Sequence, residues 1–199
     1  MKIKTRIGII VFVIIVIIFA VVFFYTPTKL FTPDNLSQVY KNNTKGFSIR
    51  YPAGFSVDDK YIYQEFDPEN ITGVKFTIST STSSGTNLSS DSYVSVEEIP
   101  NAQICTATLF LYVGNSTSAS TIVDGDTTYS VASSSDAGAG NRYEETVYAL
   151  PGTNPCIAVR YFVHYGAFEN YPAGAVREFD KQALLNQFDS IRHTLIIEK

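Results

Sequence analysis

The sequence predicts an α+β fold: an antiparallel sheet of about six to eight strands flanked by helices, preceded by one transmembrane helix. Three observations predict it. The chain opens with nineteen uncharged apolar residues at 7–25. Short runs between 46 and 165 then alternate apolar and polar residues with a period of two. The final twenty residues change to helical spacing, with Leu184, Phe188, Ile191 and Leu195 on one face and Asp180 placed to cap them.

The first segment sets the address. Residues 1–6 carry Lys2, Lys4 and Arg6 and are expected to stay in the cytoplasm. A helix over residues 7–25 spans about 28 Å, close to the roughly 30 Å hydrocarbon thickness of a bilayer. Lipid offers the backbone no partner, so Ile and Val form helix there despite modest propensities. A core helix should show a polar stripe, and this run shows none. A secretory signal has a shorter apolar run and a small-residue cleavage site, whereas this one ends in the bulky Val22-Phe23-Phe24-Tyr25-Thr26-Pro27. The expected partner of residues 7–25 is therefore the lipid bilayer, with everything beyond them outside the cytoplasm. A pilin-like surface subunit is an alternative, because pilins also begin with a basic leader and an apolar helix. The Glu that family carries five residues after its cleavage Gly is missing after Gly8, and Pro27 and Pro33 stop the helix early.

Residues 26–45 are polar and read as a tether, and 46–199 as the extracytoplasmic domain. Phe47, Ile49 and Tyr51 alternate with Ser48 and Arg50, and Pro52-Ala53-Gly54 makes a turn. Residues 61–66 form a second strand. Val74, Phe76 and Ile78 mark a third. Residues 79–92, rich in Ser and Thr, read as an exposed loop, with a short helix from about Ser90 into Val96-Glu97-Glu98. Later strands are expected at 108–113, 121–124, 127–132, 142–149 and 157–165. Asp124-Gly125 between two of them signals a hairpin. Residues 133–141, SSSDAGAGN, read as a flexible loop.

Charge excludes some classes of function. Lys and Arg number 15 and Asp and Glu 19; without the three N-terminal bases the body carries −7. An acidic body with no basic run argues against nucleic acid as a partner. Two Cys and two His leave few ligands for a metal, and no G-x-S-x-G, H-E-x-x-H or Walker pattern appears. No metal or cofactor is expected. Asn35, Asn42, Asn70, Asn87 and Asn115 each begin Asn-x-Ser/Thr, which matters only in an organism that glycosylates them.

Gly46-Phe47-Ser48-Ile49-Arg50-Tyr51-Pro52, followed by Phe55, resembles the opening strand of PsbP-like and Mog1-like domains. The ending Phe188-Asp189-Ser190-Ile191-Arg192-His193-Thr194-Leu195 is similar to their closing helix. The resemblance implies an α/β/α sandwich around an antiparallel sheet, in a membrane-anchored bacterial protein. It carries over no catalytic residue and no partner.

Cys105 and Cys156 are the only cysteines, and outside the cytoplasm such a pair is expected to form a disulfide. On the strand at 157–165, Arg160, Phe162 and His164 share one face. Ile157, Val159, Tyr161, Val163 and Tyr165 share the other, which reads as the core. Arg160 and His164 are expected on the less buried side, with Glu169 nearby, as a polar patch able to bind an anion or to carry out acid–base work. The competing reading is a polar sheet face under a helix. His193 falls in the last helical turn, where a cation suits the dipole. Asp124 and Asp126 flank a turn glycine, and Glu144 and Glu145 cannot share one face of a strand. The expected function is a single-pass, membrane-anchored extracytoplasmic binding or assembly module of the cell envelope, with an envelope protein as partner. The alternatives are an extracytoplasmic hydrolase using His164 and the pilin-like subunit.

Overall fold

In β9 (Cys156–Gly166) the alternation seen in the sequence puts side chains into two different cores, because β9 is the middle strand of a seven-stranded antiparallel sheet. The computed structural model describes residues 36–64, 71–112 and 118–198. The other strands are β1 (Gln38–Asn42), β2 (Phe47–Tyr51), β3 (Ser56–Ile62), β4 (Thr72–Thr77), β5 (Tyr93–Ile99), β6 (Ser120–Asp124), β7 (Thr127–Gly138), β8 (Asn141–Ala149) and β10 (Ile196–Ile197). The large sheet runs β3-β4-β5-β9-β8-β7-β6, and a small antiparallel sheet runs β1-β2-β10. Two α-helices are described, α1 (Thr80–Ser83) and α2 (Lys181–Arg192). Single 3-10 turns occur at Ala107–Phe110 and Phe168–Asn170.

One face of the large sheet offers Val74 and Phe76 from β4, Val94 and Val96 from β5, and Val159, Tyr161 and Val163 from β9. Phe47 and Ile49 of β2 and Leu184, Phe188 and Ile191 of α2 close over them. Asp180 caps α2 as expected, accepting from the Ala183 N–H at 2.9 Å. The opposite face carries Tyr61, Tyr93, Val147, Ala149 and Ala158, and its cover is Ala107, Phe110 and Leu111. The Cys105–Cys156 disulfide, with Cα atoms 5.0 Å apart, fastens that cover to the start of β9.

The fold is therefore mainly β, and the expected α/β/α sandwich is corrected. One face lies under a single twelve-residue helix and a three-stranded sheet, and the other under a coil with one 3-10 turn. Of the strand expected at 108–113, residues 108–112 belong to that coil, and 113 lies outside the described residues. Its neighbours Phe110 and Leu111 both fill the same core, whereas adjacent residues of a strand point to opposite faces. The helix expected from about Ser90 to Glu98 is β5, whose two faces both meet a core. The loop expected at 133–141 is the far half of a long hairpin. Ala139 and Gly140 form its turn with φ of 49° and 82°, as a type I′ turn requires. The strand expected at 61–66 begins earlier, at Ser56. β1 falls inside the stretch read as a tether and pairs with β2.

The hairpin at Asp124-Gly125 is present, closed by the pair Asp124 and Thr127. Gly73 is fixed by close approach, since a Cβ there would lie 2.1 Å from the Val96 carbonyl oxygen. The anchor expected at 7–25 lies outside the described residues; among these, no helix is long and apolar enough to cross a membrane.

The bridge closes a loop across a sequence separation of 51, worth about 4 kcal/mol on the chain-entropy model. Replacing Cys105 and Cys156 with Ser should lower the unfolding free energy by about 2–4 kcal/mol in urea titration. In unreduced, folded protein neither sulfur should react with an alkylating agent.

Candidate functional site

Three neighbouring strands assemble the densest polar group. Ser95 of β5 and Val147 of β8 lie directly opposite Arg160 of β9. Glu97 and Glu145 lie two positions along on either side, so both carboxylates reach diagonally toward the guanidinium. Glu97 takes it bidentately, Nε donating to Oε1 at 2.8 Å and Nη2 to Oε2 at 2.9 Å. Nη1 donates to Glu145 Oε2 at 2.8 Å, and Nη2 also donates to the Phe110 carbonyl at 2.6 Å. Tyr63 lays its ring 3.7 Å from the guanidinium carbon and donates its hydroxyl to Glu145 Oε1 at 2.8 Å. Ser95 Oγ donates to Glu97 Oε1 at 2.7 Å.

Arg160 and Glu97 have no exposure to solvent. Burial works against the charge of Arg160, but the Glu97 and Glu145 carboxylates outweigh it and hold its pKa well above the usual value. The same burial raises the pKa of Tyr63. This corrects the expected open patch: Arg160 is sealed under the coil at 100–112, and every guanidinium nitrogen is engaged by a carboxylate or the coil's own backbone.

His164 lies four residues along the same face, about 13 Å from Arg160 at strand spacing. Its Nδ1 meets Asp91 Oδ1 and Oδ2 at 2.8 and 2.9 Å, and its Nε2 meets Asn141 Oδ1 at 3.1 Å. A carboxylate only accepts, so Nδ1 carries the hydrogen. The ring stacks on Tyr143, its direct cross-strand partner, at 4.4 Å. From there aromatic rings continue across the sheet through Phe162, Tyr93 and Tyr61. The buried Ser92 hydroxyl bonds the backbone N–H and carbonyl of His164 rather than its ring. Glu169 is elsewhere, 3.7 Å from Arg142. Arg160, His164 and Glu169 therefore belong to three separate clusters.

A further cluster ties the end of α2 to the β6–β7 hairpin. Arg192 donates to Tyr161, Asp124 and Asp189, with its guanidinium 4.3 Å from the Tyr148 ring centroid. His193, expected to suit the helix dipole, also meets Asp124, at 2.7 Å. Hydrogen bonds from His193 and then Arg192 hold the Asp124 carboxyl down at about 2. Glu144 and Glu145 do face opposite sides: Glu144 accepts from Tyr165 and pairs with Lys181. With Asp136, Arg142, Tyr143 and Tyr165 it lines an open depression of about 390 Å³. Burial, then the bond to Glu144, pushes the Tyr165 hydroxyl up to about 12. Asn87 is buried, donating to the Gly166 carbonyl and accepting from Phe179, so its Asn-x-Ser sequence is closed to modification. Among the described residues no three His, Cys, Asp or Glu side chains stand close enough to share a metal ion.

Glu97, Glu145, Tyr63 and Asp91 were not expected at these places. A charge on a strand face otherwise apolar, as at Glu145 between Tyr143 and Val147, is the signal that finds them. A second signal is a gap in charge: residues 99–123 contain no Asp, Glu, Lys, Arg or His. That stretch exposes Ile104 by 74%, Leu109 by 41%, Tyr112 by 55% and Val123 by 73%.

Arg160→Met strands two carboxylates in the core and should cost about 3–5 kcal/mol in urea unfolding. Replacing Glu97 and Glu145 as well with apolar residues should restore part of that loss. Asp124, with its pKa depressed, adds stability that is complete above its ordinary value of 3.8 and is lost as pH falls through about 2. The stability gap between the wild type and Asp124→Asn should therefore narrow between about pH 4 and pH 2, followed by thermal unfolding.

No protein-family model matches the chain, and no curated protein does. It is similar to a crystal structure of a protein from Bacteroides thetaiotaomicron VPI-5482, at 12% identity and a TM-score of 0.45. The likeness covers 81% of this chain, which spans 48% of that protein's length.

Proposed function

We propose that the chain is a single-pass membrane protein whose disulfide-closed β domain is held outside the cytoplasm as a binding or assembly module of the cell envelope. The observation that carries the reading is the Cys105–Cys156 bridge in a chain that opens with nineteen uncharged apolar residues. A bridge of this kind persists in an oxidising compartment, and an apolar run of that length suits a bilayer. The cations at Lys2, Lys4 and Arg6 favour keeping that end in the cytoplasm.

Binding is favoured over hydrolysis by the way polar groups are used. His164 meets Asp91 with one nitrogen and Asn141 with the other, and the neighbouring Ser92 hydroxyl serves the backbone. A general base needs a free nitrogen within reach of the proton it removes.

The full-length chain should remain in the membrane pellet after an alkaline carbonate wash. A form in which a cleavable secretory signal replaces residues 1–26 should be released into the soluble fraction outside the cytoplasm. Recovery of the full-length chain from the cytosol, with both thiols open to alkylation, would falsify the reading.

A further inference from the structure

The two edges of the large sheet are built differently. β3 is bulged between Asp58 and Tyr61 and carries Asp58, Asp59 and Lys60, features that discourage pairing with another chain. β6 has no charge before its last residue, Asp124, and among the described residues it pairs only with β7. A two-residue turn, Gly125-Asp126, joins those strands, with Gly125 at φ 61°. The pair closing such a hairpin is hydrogen-bonded, so Asp124, Ile122 and Ser120 face β7. Thr121 and Val123 then aim their N–H and carbonyl groups away from the sheet.

β6 also ends the charge-free stretch at 99–123. The 3-10 turn of that stretch lies over β7, where the Ala107 N–H donates to Ser130 Oγ.

We propose that β6 pairs antiparallel with β6 of a second copy, joining two large sheets across a two-fold axis at Ile122. The proposal rests on the membrane-tethered reading above and names the partner. The match of the edge to itself selects the occupant, against the net charge. Each body carries −7, so two copies repel over most of their surfaces. The uncharged edge lets them meet without opposing like charges. Asp124, the strand's one charge, is answered in its own chain by Arg192 and His193 and falls opposite Ser120 of the second copy. In this register Thr121 of each copy pairs with Val123 of the other, which uses every outward group of those two residues. Anchoring both copies in one bilayer raises their effective concentration.

The test is thiol cross-linking of the full-length chain in intact cells, followed by fractionation and read by non-reducing electrophoresis. Ile122→Cys should give a band at twice the mass of one chain, at least about five-fold stronger than Asp126→Cys at the hairpin tip. Adding Val123→Lys or Val123→Pro to Ile122→Cys should weaken that band by about five-fold or more. The Cys105–Cys156 bridge should stay closed in each variant, which checks the fold. Equal bands from positions 122 and 126, or a band that survives Val123→Lys, overturn the pairing. So do a cross-link to a protein of different mass and a monomer alone, including one whose own residues 26–35 fill the edge. Fractionation of the same samples separates the two ideas: a membrane-held monomer sinks the pairing and spares the tether, while a cross-linked cytosolic dimer does the reverse.

Discussion

Arg160 holds a full positive charge in the middle strand of seven with no access to water. Desolvating a guanidinium is costly, and the structure bears it only because two carboxylates arrive from the strands on either side. That requirement fixes register. A slip of one residue in β5 or β8 would turn Glu97 or Glu145 into the opposite core, among Val94, Val96 and Tyr161, and take one of its two carboxylates from Arg160. A buried ion cluster often contributes little net stability compared with an apolar core. Its effect here is to make one pairing of three strands far better than its neighbours.

The same cluster reaches the layer above it. The Phe110 carbonyl accepts from Arg160, and Cys105, five residues earlier, is bonded to Cys156, four residues before Arg160 on the same face of β9. The cover is thus fastened twice to one strand, once covalently and once by a charge-assisted hydrogen bond. These two fixed points, with the Ala107 N–H on Ser130, hold a coil that has few backbone bonds of its own, which explains how a segment with a single 3-10 turn can roof a sheet face. It also explains why so much chemistry in the sequence lies out of reach of a ligand. Glu97, Glu145 and Arg160, one from each of β5, β8 and β9, are spent on one another.

Much of the fold is legible in the sequence wherever one face of a strand meets a core and the other meets water. β2, β4 and the helix α2 with its Asp180 cap are of that kind. Reading fails where both faces are covered, as in β5, because Tyr93-Val94-Ser95-Val96-Glu97 no longer alternates cleanly. It also fails at the far end of the β7–β8 hairpin, where small polar residues form ladder bonds that composition does not reveal. The alternation in β9 correctly separates Arg160 and His164 from the Val159 and Tyr161 side. It cannot show that the coil buries one and leaves the other near the rim, because that depends on a contact between residues 50 positions apart. The disulfide is legible for a different reason: two cysteines allow one pairing.

The coil at 100–112 has inward and outward positions, and the fold dictates only the first. Ala107, Phe110 and Leu111 must be apolar, since they fill the space above Ala149 and Ala158. Ile104 and Leu109 face outward and add little to that core, so charged side chains there would cost the fold little and would raise solubility. The same holds for Val123 on β6. An acidic protein that leaves β6 uncharged up to Asp124, while placing Asp58, Asp59 and Lys60 on the opposite edge, distributes charge in a way that internal packing does not require. The asymmetry is explained if β6 is covered by something whose approach a charge would hinder, and a sheet edge is covered most completely by another strand.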